Sequence, residues 1–149
     1  FKNARMIFVP RSGEDISLLE CAKGVFMDAG FSGISITTPE KHDEIIAYTS
    51  QLAHVVSNAY VKSPNAQVHK GFSAGSYKDL TRVARLNEAM WAELFLDNAQ
   101  NLAKEIDFLI SSLQEYSNAI KDNDFETLKE LLRQGRECKE KAESNREHS

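Results

Sequence analysis

Two short apolar runs near the start of the chain enclose a segment with helical periodicity. The runs are residues 5–9 (RMIFV) and residues 33–37 (GISIT). Between residues 14 and 29 apolar side chains recur at helical intervals, and Gly30 follows as a C-terminal stop. A strand, a helix and a strand in this order predict a βαβ unit with parallel strands. Because two strands do not complete a parallel sheet, we interpret residues 1–37 as the C-terminal remnant of a larger α/β domain.

Helical periodicity continues through most of the remaining chain. The first long helix is predicted to run to Val61, with Thr37 as its N-cap and Glu40 three residues further on. A second long helix is predicted over residues 87–121. At about 1.5 Å per residue it would measure roughly 50 Å, which is more than the width of a small domain. We therefore expect its apolar face to pack against a second copy of the chain in a homodimer.

Shorter helical segments fill the rest of the chain. Residues 78–85 are predicted to form a helix, and Asp124 is predicted to cap a final helix that ends near residue 135. Residues 136–149 are nearly all charged, so we expect a solvated helix that frays into a disordered tail. The fold is predicted to be mainly α after the βαβ remnant, with an all-helical domain over residues 38–135.

Composition and charge exclude several classes of function. The net charge of -4 and the pI of about 5.6 argue against a nucleic-acid binder, which would carry a basic stripe. No apolar run approaches the roughly 20 residues of a membrane span, so we expect a cytoplasmic protein that does not enter a membrane. Cys21 and Cys138 lie far apart without clustered histidines, so no metal site is expected. The glycines do not form the GxGxxG pattern of a dinucleotide site.

The densest cluster of charge lies in residues 77–85 (YKDLTRVAR). On a helix, Lys78 and Asp79 lie within about one turn of Arg82, so Asp79 is placed to hold the Arg82 guanidinium in one orientation. A guanidinium held in this way is a planar fork that suits a carboxylate. The alternative is an ordinary solvated face, whose ion pairs contribute about 0 to 1 kcal/mol each. The spacing alone leaves both interpretations open.

The first long helix has two faces of different chemistry. One face is apolar, and the other carries a carboxylate, hydroxyls, an amide and an imidazole. This polar stripe is more varied than solubility requires, which makes His54 a candidate site residue. A single histidine in a helix is, however, more often a structural residue. The stripe consists of Asp43, Ser50, Gln51, His54 and Ser57.

Four short motifs in the helical part carry a family resemblance. They are residues 38–43 (TPEKHD), 50–54 (SQLAH), 75–84 (GSYKDLTRVA), and 90–91 (MW) with 97–98 (DN). In this order and spacing they resemble the C-terminal half of the prephenate dehydrogenase family. The resemblance implies a helical dimerisation domain of the 6-phosphogluconate dehydrogenase C-terminal-like type, preceded by the end of a Rossmann domain. It also implies NAD-dependent oxidative decarboxylation of prephenate to 4-hydroxyphenylpyruvate in tyrosine biosynthesis.

The resemblance also assigns roles to residues of the charge cluster and of the polar stripe. Arg82 would bind a substrate carboxylate. Asp43 would pair with Lys78 across the dimer interface. The other residues in or near the substrate pocket would be Ser50, Gln51, His54, Lys78, Asp79 and Trp91.

The chain departs from the family pattern at one motif. The family often has Ser-His-Leu-Pro-His where this chain has Gln51 and Ala53 in place of the first histidine and the proline. Because a glutamine amide does not titrate, an acid–base role at that position is not supported. The resemblance places the family's catalytic histidine and its NAD site upstream of Phe1. We therefore expect no catalytic and no cofactor-binding residue in this chain, and an inactive dimer when it is isolated.

Two other functions remain open from the sequence. One is a related dehydrogenase, either an arogenate dehydrogenase of the same family or another two-domain enzyme with a helical C-terminal half. The other is a non-catalytic helical dimerisation or regulatory module, in which Arg82 and His54 would be dispensable. The sequence does not decide between NAD and NADP. The resemblance further implies that tyrosine binds the pocket as an inhibitor.

Overall fold

The computed structural model describes residues 4–10, 16–69, 71–72 and 75–147. Within these residues the chain has two short strands and seven α-helices, and it divides into two compact units, residues 1–103 and residues 104–149. The elements are β1 (Arg5–Phe8), α1 (Ile16–Asp28), β2 (Gly33–Ile36), α2 (Pro39–Ile46), a π turn (Ala47–Gln51), α3 (Leu52–Tyr60), a 3-10 turn (Pro64–Gln67), α4 (Gly75–Thr81), α5 (Glu88–Asp97), α6 (Ala99–Lys121) and α7 (Phe125–Glu147).

The βαβ unit predicted at the start of the chain is confirmed. β1 and β2 are parallel neighbours, with Arg5 opposite Gly33 and Phe8 opposite Ile36. The Phe26 ring of α1 packs edge-on against the Phe8 ring, with centroids 5.6 Å apart, which docks the helix on the strands. Ile36 remains 62% exposed, so the two strands leave apolar surface for further neighbours. Residues 14 and 15 of the predicted helix lie outside the described residues.

The first long helix begins one residue later than predicted. Thr38 is the N-cap, and its Oγ1 accepts a hydrogen bond from the Lys41 amide at 3.2 Å. The prediction of Thr37 as N-cap is therefore wrong by one residue. The physical reason is that Thr37 continues the pairing of the strands, since its amide donates to the Phe8 carbonyl at 2.9 Å.

The helix predicted over residues 87–121 is in fact two helices. It begins at Asn87 as predicted, where the side chain caps the first turn. It then breaks at Asn98, which leaves the helical conformation with φ −119° and ψ 30°. The Asn98 side chain donates instead to Gln51 Oε1 at 2.9 Å, a contact 47 residues away in sequence. The predicted length of roughly 50 Å is wrong for this reason, and α6 has 23 residues.

Helix α4 lies earlier in the chain than the helix predicted over residues 78–85. It covers Gly75–Thr81, so Arg82 lies just beyond its end. The segment that follows is held by α3, because Asn58 Nδ2 donates to the Ala84 carbonyl at 3.1 Å. This hydrogen bond joins residues 26 positions apart, so the local sequence pattern did not indicate it.

The second unit is a helical hairpin made by α7 and the part of α6 that follows residue 103. Asn123 adopts φ 52° in the turn, and Asp124 caps α7 as predicted, with its Oδ1 accepting from the Thr127 amide at 3.0 Å. This hydrogen bond holds the pKa of the Asp124 carboxyl below its usual range. The Tyr116 hydroxyl donates to the Leu131 carbonyl at 3.2 Å and so links the two helices.

The charged end of the chain continues α7 as a helix through Glu147. Its side chains form ion pairs three or four residues apart, which stabilise a solvated helix. Of the predicted tail, residues 136–147 are helical, and residues 148–149 lie outside the described residues. The ion pairs join Arg133 to Glu130 and Glu137, Arg136 to Glu140, and Lys139 to Glu143. No helix in the described part of the chain is long and apolar enough to cross a membrane.

Candidate functional site

A π turn interrupts the first long helix where the predicted pocket residues lie. The Leu52 amide donates to the Ala47 carbonyl five residues earlier, which widens the helix by one residue. Ala47 is completely buried, so a small side chain occupies the start of this turn. π turns of this kind occur frequently at functional sites. Here the turn contains Ser50 and Gln51 and directly precedes the turn of α3 that carries His54.

The π turn also sets the tautomer of His54. The His54 Nδ1 lies 2.8 Å from the Ser50 carbonyl, which can only accept, so Nδ1 carries the proton. In the neutral ring the lone pair is therefore on Nε2, which remains available to accept a hydrogen bond. The side chain is half-buried. His54 is thus a fixed imidazole with one nitrogen committed to the backbone and the other uncommitted among the described residues.

Trp91 of α5 forms an aromatic wall beside His54. The two rings stack with centroids 4.0 Å apart and an interplanar angle of 28°, and Phe95 lies 5.3 Å from Trp91 one turn further along α5. The structure therefore brings together two residues that sequence reasoning placed at the pocket.

An open pocket of about 400 Å³ lies beside this stack, with Trp91 as a shared wall. Its lining includes Asn58 and Ala84, which are joined by the hydrogen bond described above. Arg85 and Glu88 bring one positive and one negative charge to its lining. The lining residues are Asn58, Ala84, Arg85, Leu86, Glu88, Trp91, Ala92 and Phe95.

The charge cluster is less organised than its sequence predicted. Lys78 and Asp79 lie on α4 and Arg82 follows it, and all three are exposed. Among the described residues no ion pair joins Asp79 to Arg82, so the expectation that Asp79 orients the guanidinium is wrong for this chain taken alone. The helix ends at Thr81, which removes the three-residue helical spacing on which that expectation depended. The Arg82 guanidinium is therefore exposed to solvent and to any incoming anion.

Asp43 and Gln51, two further predicted residues, have partners inside the chain. The Asp43 carboxylate lies 3.0 Å from His42 Nδ1. Because the predicted Asp43–Lys78 pair would join two subunits, it stays a prediction. Gln51 is only 6% exposed and is hydrogen-bonded at both ends of its amide, to the Leu94 carbonyl and to Asn98. Its predicted contact with substrate also stays a prediction.

Comparisons with known proteins identify the family of the helical part of the chain. The family model described as prephenate dehydrogenase, dimerization domain, matches residues 38–134. The chain belongs to this family. A cyclohexadienyl dehydrogenase of Zymomonas mobilis is 30% identical over 113 residues, covering 71% of this chain and 38% of that protein. A prephenate dehydrogenase of Bacillus subtilis is 26% identical over 133 residues, covering 86% of this chain and 36% of that protein.

Solved structures of the family share the fold. A prephenate dehydrogenase of Aquifex aeolicus, crystallised with hydroxyphenyl propionate and NAD+, has a TM-score of 0.77 at 28% identity, over 95% of this chain and 51% of that chain. An arogenate dehydrogenase of Synechocystis also has a TM-score of 0.77, at 23% identity, which is a likeness of fold alone. The mainly helical fold class and the family resemblance are thereby confirmed. The chain spans about 36 to 40% of the length of the curated relatives it matches.

Sequence analysis gave no role to two residues of this prephenate dehydrogenase domain, although Asn98 lies in one of the family motifs. Asn58 and Asn98 each make hydrogen bonds that fix loops or helix ends across 26 residues or more. Asn98 carried a usable signal, because an asparagine after an apolar helical run is a typical helix end. Asn58 lies within α3 and carried no such signal.

His69 resembles His54 in its contacts, with Nδ1 2.7 Å from the Ala66 carbonyl and its ring 4.2 Å from Tyr77. It lines a separate, smaller pocket of about 200 Å³.

Proposed function

We propose that the protein that includes this chain is a prephenate dehydrogenase, which converts prephenate to 4-hydroxyphenylpyruvate with release of CO2 and transfer of a hydride to NAD. The observation that carries the proposal is the stack of His54 on Trp91 beside an open pocket, in a domain of this family. In this arrangement Trp91 offers the pocket a planar wall for a six-membered ring. His54 stacks on Trp91 but is not among the lining residues, and its free nitrogen would bind a substrate that reaches past that wall. Residues of this chain would bind and orient the substrate.

Arg82 is the proposed ligand of a substrate carboxylate. Its guanidinium is exposed and forms no ion pair with the described residues, so a carboxylate does not have to displace a protein partner. A guanidinium binds a carboxylate through two parallel hydrogen bonds, and such charge-assisted pairs are the stronger ones. Lys78 and Asp79 lie on α4 about one turn before it, and they would lie at or near the bound substrate although they do not line the pocket of about 400 Å³. Ser50 and His54 would contribute from the side of the π turn.

We assign no cofactor contact to this chain. The βαβ unit does not fit a dinucleotide cradle, because the sequence has no GxGxxG pattern after a strand. We propose that NAD is bound outside these 149 residues, where it takes up the hydride when bound. Tyrosine, as an aromatic amino acid with a carboxylate and a phenol, would compete for the same pocket. The protein is proposed to act in the cytoplasm.

We further propose that the chain forms a homodimer through its second unit. Ile110, Leu113 and Ile120 of α6 are each 58 to 63% exposed and recur at intervals of three and seven residues. Residues with this spacing lie along one face of a helix, and an apolar face of this kind packs against a partner helix. The partner would be the same face of a second copy.

The test is steady-state turnover of prephenate with NAD by the full-length protein, wild type against Arg82→Ala. Loss of a charge-assisted contact of about 2 kcal/mol or more raises KM by about 30-fold or more. Arg136→Ala is the control, because Arg136 is also exposed but pairs with Glu140 on α7. An unchanged KM in Arg82→Ala would remove Arg82 from the substrate site.

The same assay separates the alternative functions. Turnover of arogenate without turnover of prephenate would identify an arogenate dehydrogenase. A non-catalytic dimerisation module would be identified by two results. The folded full-length protein is inactive on both substrates, and its biological activity is unchanged in Arg82→Ala.

A further inference from the structure

The amides of Gln51, which is buried, and Asn98, which is half-buried, join the π turn to the helix that carries Trp91. Gln51 Nε2 donates to the Leu94 carbonyl at 2.9 Å, and Gln51 Oε1 accepts from Asn98 Nδ2, also at 2.9 Å. Asn98 Nδ2 also donates to the Asp43 carbonyl at 2.8 Å, and Asn98 Oδ1 accepts from Asn101 at 2.8 Å. The two amides therefore connect α2, the π turn, the end of α5 and the start of α6.

The amide hydrogen bonds and the stack of His54 on Trp91 join the same two elements. Gln51 lies three residues before His54, and Leu94 lies three residues after Trp91, so the hydrogen bond and the ring stack join the same two elements about one helical turn apart. Two ties at this separation fix both the rotation of α5 about its axis and its position along that axis. Loss of the Gln51 hydrogen bonds would therefore weaken the restraint that keeps Trp91 over the imidazole.

We propose that Gln51, acting with Asn98, is a positioning residue that places Trp91 over the His54 ring, and that it is not a ligand of the substrate. Three observations carry this inference. The side chain is 6% exposed, its amide nitrogen is used by Leu94, and its amide oxygen is used by Asn98. The consequence for catalysis rests on the function proposed above, whereas the consequence for the ring stack does not.

The inference sets a chemical requirement at position 51. The side chain must donate one hydrogen bond to the Leu94 carbonyl and accept one from Asn98. A neutral imidazole has one donor nitrogen and one acceptor nitrogen, so Gln51→His meets the requirement. Methionine has a similar length and fills the same space, but it has no donor, so Gln51→Met does not meet it.

The test uses the fluorescence of Trp91, which is the only tryptophan in the chain. Quenching of this fluorescence by acrylamide is measured in the 149-residue chain for the wild type, Gln51→Met and Gln51→His. Loss of the buried hydrogen bonds shifts the balance between stacked and unstacked Trp91 by about fivefold or more, so Gln51→Met is quenched more strongly. Gln51→His retains the wild-type quenching. Tyr116→Phe, which loses the hydroxyl contact within the second unit, is the control for a general loss of stability and also retains it.

Three results would overturn the inference: wild-type quenching in Gln51→Met, equal quenching in Gln51→Met and Gln51→His, or increased quenching in Tyr116→Phe. If Gln51→Met does not fold, as judged by circular dichroism, Asn98→Ala takes its place with the same expected increase. In the full-length enzyme, Gln51→Met lowers kcat/KM for prephenate and Gln51→His keeps it. A full-length protein without activity on prephenate contradicts the proposed function, and the fluorescence result still decides the positioning role.

Discussion

The residue Ser57 lies in the same polar stripe as His54 but has a different environment. Its side chain is completely buried, and in the described part of the chain its Oγ has no hydrogen-bond partner. A buried hydroxyl without a partner costs about 1 to 3 kcal/mol of stability. We therefore expect Ser57→Ala to raise the free energy of unfolding by about 1 kcal/mol, as measured by urea denaturation.

A second serine provides the control for this stability prediction. Ser63 caps the 3-10 turn, and its Oγ accepts from the Asn65 amide at 3.3 Å, so Ser63→Ala lowers stability by about 0.5 to 1 kcal/mol. A decrease of similar size in Ser57→Ala would mean that the buried hydroxyl has a partner, such as an ordered water, in solution.

The residues of the polar stripe predicted from the sequence differ in their environments. The stripe grouped Ser50, Gln51, His54 and Ser57 by spacing alone, and the structure gives each a different environment. The pattern selected His54 as a candidate site residue, and the structure stacks its ring on Trp91, whereas its place in a substrate pocket stays a prediction. It did not distinguish the buried amide of Gln51 from a ligand, because the partners of that amide lie more than 40 residues away.

At the scale of the elements, the starts of α5 and α7 were predicted correctly, the start of α2 was wrong by one residue, and the interruptions within the helices were not predicted. Asn87 and Asp124 begin helices through bonds to residues three positions away, so the local sequence contains the signal. The break at Asn98 depends on contacts with α2 and the π turn, and the end of α4 is accompanied by the contact from Asn58. The π turn itself has no local sequence signature, which is why the first long helix was predicted as uninterrupted.

The ion pairs of α7 make a prediction about pH at this scale. Hydrogen bonds from Arg133 and then from Gln134 lower the pKa of Glu130 from 4.5 to about 2. A carboxyl with a lowered pKa in the folded state adds stability above its ordinary pKa, and this stability is lost as the pH falls through the folded value. We therefore expect the contribution of this pair to α7 to disappear between about pH 4.5 and about pH 2.

The measurement is a pH titration of the Glu130 carboxyl carbon by NMR, in the wild-type chain and in Arg133→Gln. The pKa returns toward its ordinary value in the variant, because the main hydrogen-bond donor is gone. Arg136→Gln removes a neighbouring ion pair that does not involve Glu130, so it leaves this pKa unchanged. Equal pKa values in the wild type and in Arg133→Gln would mean that the pair does not form in solution.

At the scale of the whole molecule, much of the apolar surface has no cover within one chain. The buried apolar residues in the described part are only two alanines and two leucines: Ala47, Leu52, Leu102 and Ala119. Large apolar side chains remain exposed on both units, including Ile36 on β2 and Phe108 on α6. Exposed apolar surface of this extent is typical of protein interfaces. In the second unit the exposed apolar residues Ile110, Leu113 and Ile120 lie along one face of α6. A symmetric dimer requires a continuous face of this kind.

This face gives a prediction for the assembly. Burying a leucine contributes about 1.5 to 3 kcal/mol, and an unpaired carboxylate placed in an interface costs several kcal/mol more. We therefore expect the 16.7 kDa chain to sediment as a dimer and Leu113→Glu to raise the dimer dissociation constant by about a hundredfold or more. Ser111→Glu adds the same charge two residues away, on the opposite side of α6, and so leaves the dimer intact. If both variants dissociate, added charge and not the loss of Leu113 contacts drives the effect. If neither does, the α6 face is not the dimer interface, and the apolar surface of the first unit becomes the place to look for the partner.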